Sequence, residues 1–75
     1  MIRYSLTHPT EETREKTGNS IEASVALIKS MVRPYDNRAK VYSSSVSEIS
    51  IESENKLPEE LVRRMSSVCE VRAKD

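Results

Sequence analysis

The chain has 75 residues, 36% apolar and 32% charged, and its 12 Lys and Arg balance its 12 Asp and Glu, so the formal net charge is zero. One small domain, expected over 1–75, fits that length, and the neutral total argues against a dedicated DNA-backbone binder or a polybasic membrane tail. The longest apolar run, Val25-Ala26-Leu27-Ile28, is too short for a membrane span or a signal-peptide core, so no membrane partner is expected.

Cys69 is the one cysteine, which excludes an internal disulfide and points to an intracellular, cytoplasmic protein. His8 is the one histidine, so no His/Cys metal cluster is expected, and no cofactor. Leu, Ile and Val supply a thin core, with no Phe or Trp and only Tyr4, Tyr35 and Tyr42 as aromatics. A chain of this size usually needs a disulfide, a metal or a partner to reinforce so small a core. The first two lack residues here, which leaves a partner, either a second copy or another protein.

In chain order, Ile2, Tyr4 and Leu6 alternate with Arg3, Ser5 and Thr7, the pattern of a half-buried strand. Thr7 to Gly18 contains no large apolar residue and reads as a polar loop over 7–18, with room for a short helical turn over Thr10 to Lys16. Asn19 or Ser20 can cap a helix over about 19–33, where Ile21, Val25, Ile28 and Val32 form an apolar stripe and Pro34 ends it. After a turn at Tyr35 to Arg38, alternation over 39–53 fits one long bent strand or a hairpin turning at Ser43-Ser44-Ser45. The hairpin is preferred, with strands 39–43 and 46–53. Pro58, Glu59 and Glu60 open a helix over about 58–67 with Leu61, Val62, Met65 and Val68 on one face. Cys69, Val71 and Ala73 then alternate as a short final strand, or extend that helix.

The order is β-α-β-β-α-(β), an α+β fold. It predicts a small antiparallel sheet covered on one face by two helices in a ferredoxin-like split βαβ arrangement. Ile2, Tyr4, Leu6, Val41, Ile49, Ile51 and Val71 would pack beneath the helical stripes.

Candidate chemistry is sparse. Catalysis would need Cys69 as nucleophile with His8 nearby, but no Gly-rich loop or elbow frames either, and Cys69 reads more simply as a buried apolar filler. Ser43 to Ser45 could hold phosphate, yet the Gly that lets a backbone approach is missing, and a solvated strand is the simpler reading. Charge is more informative. Lys29, Arg33, Arg38 and Lys40 stand against Asp36 alone, followed by an acidic stretch from Glu48 to Glu60. Ordinary helix-dipole complementation accounts for part of this. Lys29, Arg33, Tyr35, Arg38 and Lys40 are the candidate partner-binding residues, for an acidic protein surface in preference to nucleic acid.

The stretch Ile21-Glu22-Ala23 to Met31-Val32, then Pro34, Arg38 and the strand Ile49-Ser50-Ile51-Glu52, resembles the small dimer-forming subunit of the KEOPS tRNA-modification complex over about residues 20–67. The loop Thr7 to Gly18 is longer than in that family, and the second helix lacks its run of small and aromatic residues. The resemblance implies a non-catalytic, dimerising, bridging subunit and carries over no functional residue. The expected function is a non-enzymatic interaction module, a regulatory inhibitor or a subunit of a complex, acting as a homodimer or heteromer. The alternative is RNA contact through the basic segment 29–40.

Overall fold

A computed structural model describes residues 1–74; the last position of the expected 1–75 domain lies outside the described residues. Alternation of apolar and polar side chains builds β1 (Ile2–Thr7), β2 (Lys40–Ser45), β3 (Glu48–Ser53) and β4 (Glu70–Lys74). The strands join into one antiparallel sheet in the order β2-β3-β1-β4. Three helices complete the chain: α1 (Glu11–Thr17), α2 (Ile21–Val32) and α3 (Glu59–Ser66). The result is a small α+β domain whose sheet has its apolar face beneath the helices. None of the helices is long and apolar enough to cross a membrane.

The core follows from strand parity. Tyr4 and Leu6 of β1, Val41 of β2, and Ile49 and Ile51 of β3 are buried against Ile28 and Val32 of α2 and Leu61 and Met65 of α3. Leu57 and Cys69, from the segments flanking α3, close the core. Ile2 and Val71 pack only partly against it, because they lie near strand ends. The final apolar alternation is a strand: β4 pairs with β1, with Leu6 opposite Val71 and Tyr4 opposite Ala73.

Three local expectations are corrected. The expected loop over 7–18 contains α1, which forms without an apolar stripe because its ends are satisfied. Thr10 Oγ1 accepts from the Thr13 N–H at 3.2 Å, and Gly18, with φ 61°, takes the left-handed C-terminal position that favours glycine. Its one buried residue is Thr13. The hairpin turns at Val46-Ser47 rather than Ser43 to Ser45. The serine run stays in β2, where the register shifts between Ser43 and Ser45 at an irregularity in the pairing. The helix over 58–67 starts one residue later, with Pro58 as N-cap making no side-chain capping bond.

Candidate functional site

The five candidate partner-binding residues do not form one patch. Lys29 lies on α2 and Arg33 caps its C-terminus, both exposed. Lys40 sits across from Glu52 on the sheet face away from the helices, the parity opposite buried Val41. Tyr35 is half-buried and packs against the core, and its hydroxyl oxygen accepts from Arg64 Nη1 at 3.4 Å. Arg64 therefore joins the candidate surface through the packing of α3.

Tyr35, Arg38 and Lys40 do share a groove of about 500 Å³, but Asp36, Glu52 and Glu54 line it as well. Within it the Ser53 hydroxyl reaches Asp36 Oδ2 at 2.8 Å, and the Arg38 N–H donates to Asp36 Oδ1 at 3.0 Å. Both bonds, the serine's first, hold the Asp36 carboxyl below the ordinary carboxylate range. With Lys56 also lining it, the groove is as acidic as it is basic, and Lys29 and Arg33 lie outside it.

A second groove, of about 360 Å³, opens between α1, the first half of α2 and the β2–β3 turn. Both His8 and Cys69 line it, yet they are not arranged as a nucleophile and its base. His8 Nδ1 lies 2.8 Å from Glu70 Oε2 and 3.1 Å from the Thr7 hydroxyl. The Cys69 thiol donates to the Met65 carbonyl at 3.5 Å, and burial pushes its pKa up to about 11. A thiol with that pKa is overwhelmingly protonated at neutral pH, whereas a nucleophilic cysteine requires the thiolate.

The sheet face away from the helices is a polar lattice, and the register places its members. Across β2, β3, β1 and β4 one row reads Lys40, Glu52, Arg3, Lys74 and the next Tyr42, Ser50, Ser5, Arg72. Glu48 is the hub. Ser5 Oγ donates to its Oε2 at 2.5 Å, Ser44 Oγ to its Oε1 at 2.7 Å, and Lys74 Nζ lies 3.5 Å away. These contacts, the Ser5 bond first, bring the Glu48 pKa down to about 2. At Glu52 the Tyr42 hydroxyl donates at 2.6 Å and Arg3 pairs at 3.2 Å, which also holds its pKa below the ordinary glutamate range. Tyr42 is the one aromatic on this face among the described residues, and that bond ties it down rather than presenting its ring for base stacking.

Carboxylates whose folded-state pKa is depressed contribute stability that is complete above their unfolded pKa and is lost as pH falls through the folded value. The melting temperature should therefore be level above about pH 5 and fall steadily toward about pH 2. Glu48→Gln should flatten that fall. Thermal melts across this range check it, and an equal slope in the variant would remove Glu48 as the group responsible.

Comparison of the chain with protein-family models, with curated proteins and with solved structures returned no match.

Proposed function

We propose that the protein is a non-enzymatic interaction module, a subunit of a complex or an inhibitor of a partner protein, docking through the outward face of α2. The observation that carries this reading is the incomplete burial of that helix. Ile21, Ala23, Val25, Ala26, Leu27, Ile28, Met31 and Val32 make eight of its twelve residues apolar; Ile28 and Val32 are buried, Ile21, Val25 and Met31 pack partly against the core, and Ala26 is exposed. A helix apolar on most of its circumference is normally covered on most of it. Glu22, Ala26, Lys29, Ser30 and Arg33 share its exposed outward stripe, with the two cations toward its C-terminal end. Neither Lys29 nor Arg33 has an ion-pair partner among the described residues. A small residue beside two unmatched cations suits an acidic protein surface.

The protonated Cys69 and the engaged His8 support a role without catalysis. The resemblance to the dimer-forming KEOPS subunit points the same way. The strand order β2-β3-β1-β4 supports a ferredoxin-like reading of the sheet, with α1 inserted into the first crossover. For association, we infer a homodimer or heteromer in the cytoplasm; the exposed edge strand β2, with only Val41 buried, offers a second route to pairing.

In the test, Lys29→Glu combined with Arg33→Glu should reduce partner binding at least about tenfold, as loss of a charged contact does. The circular dichroism spectrum should be unchanged, because both side chains are exposed. Ala26→Glu should act similarly by crowding the face. Co-purification from the native host, with sedimentation velocity of wild type and variants, reads both effects. Normal binding by the double variant would move the surface to the β2 edge. The second reading, RNA contact through 29–40, draws on the same exposed Lys29, Arg33 and Arg38. A steep loss of affinity with salt would favour it, because phosphate contacts release counterions.

A further inference from the structure

We propose that the groove between α1, the first half of α2 and the β2–β3 turn binds a small amphipathic anion, an apolar tail or ring carrying one carboxylate. Its volume of about 360 Å³ lies in the range of about 300–1,000 Å³ that small-molecule sites occupy. Its apolar lining includes Leu6, Ile21, Leu27, Ile28, Ile49 and Val68, drawn from the two inner strands β1 and β3, from α2 and from the chain before β4. Val46, 93% exposed at the hairpin turn, extends that lining to the mouth.

Charge selects the polar end of the ligand. The chain has 12 acidic residues, yet none lines this groove. Arg14 is its one permanently charged lining residue, and its side chain has no ion-pair partner among the described residues. Four Lys and Arg side chains, Arg3, Lys16, Arg63 and Lys74, pair with carboxylates, and Arg14 is not among them. An apolar cavity with one unanswered guanidinium matches a carboxylate, which a guanidinium can bind through two parallel hydrogen bonds. The backbone adds an independent mark. The two non-glycine residues with left-handed backbone among the described residues, His8 with φ 51° and Asn19 with φ 61°, both line this groove. At Asn19 the conformation belongs to the C-terminal cap of α1, where its N–H donates to the Arg14 carbonyl at 3.0 Å; at His8 it carries a cost of the kind that gathers at ligand-binding segments.

This site lies apart from the outward stripe of α2, so it stands or falls separately from the docking reading. Titration of the ¹⁵N-labelled full chain with decanoate, kept below its micelle concentration, tests it by NMR. Amide shifts at Leu6, Leu27, Ile49 and Val68 should saturate along one isotherm. Decyltrimethylammonium should bind about tenfold more weakly, and so should decanoate to Arg14→Gln, which removes a charge-assisted bond at an exposed position. Acetate, lacking the tail, should shift none of these amides. Non-saturating shifts, equal binding of the cationic surfactant, or unchanged affinity in Arg14→Gln with its native spectrum intact would each overturn the proposal.

Discussion

Ile51→Ala is expected to lower the melting temperature by at least about 10 °C. Ile51 is fully buried on β3, an inner strand of the sheet. It is paired with Tyr4 on one side and Val41 on the other, both themselves buried. Truncation leaves a cavity in the row Val41, Ile51, Tyr4 and Ala73, which crosses all four strands, at a cost of about 2–5 kcal/mol. A domain of this length holds only about 4–11 kcal/mol in total, taking about 0.05–0.15 kcal/mol per residue. Ile51→Val, which removes one methyl group, should cost about 0.5–1.5 kcal/mol. Thermal and urea unfolding followed by far-ultraviolet circular dichroism give both values. A melting temperature for Ile51→Ala within a few degrees of wild type would place the centre of the core elsewhere.

Tyr4→Phe is expected to destabilise the protein by about 1–3 kcal/mol while leaving its secondary structure unchanged. The Tyr4 hydroxyl oxygen accepts the Leu57 N–H at 3.0 Å, in a fully buried bond between residues 53 apart in the chain. Phenylalanine keeps the ring and its packing but leaves the amide without a partner and out of reach of water. The penalty is then the desolvation of one backbone N–H, not the loss of apolar contact. Hydrogen exchange at the Leu57 amide should accelerate more than exchange at neighbouring core amides. Urea melts that superimpose for the two proteins would show that the bond contributes nothing net. Because this bond pins the segment leading into α3 to an inner strand, its loss should loosen the start of that helix before the rest.

The elements that were legible in the sequence share one property, which is that each carries its own periodicity. Ile2, Tyr4 and Leu6 alternate, and Ile21, Val25, Ile28 and Val32 recur with the helical repeat. The structure places both sets as expected, as β1 and α2. Cys69 likewise proves to be buried, as its place in an apolar alternation implied. α1 was legible only as room for a short helical turn over Thr10 to Lys16, because its seven residues include no apolar stripe and depend on Thr10 and Gly18 at the ends. The hairpin turn was misplaced because a serine run without Gly or Asn resembles a turn in composition. Pairing with β3 instead holds those serines in a strand.

The candidate surface divides along the same line. Exposure of Lys29 and Arg33 follows from their place opposite the α2 stripe, which the helical repeat alone determines. The position of Tyr35 does not, since the bond from Arg64 joins residues 29 apart. Nor was the polar lattice visible along the chain, where Ser5 and Glu48 stand 43 residues from one another. Local periodicity by itself determined which residues are helical or extended and which way each element turns its apolar side, because these depend on neighbours within a turn or two. Only the tertiary structure decided the register. Register fixes which carboxylate meets which hydroxyl and where a groove with a lone guanidinium opens, because those contacts arise only after distant strands have paired.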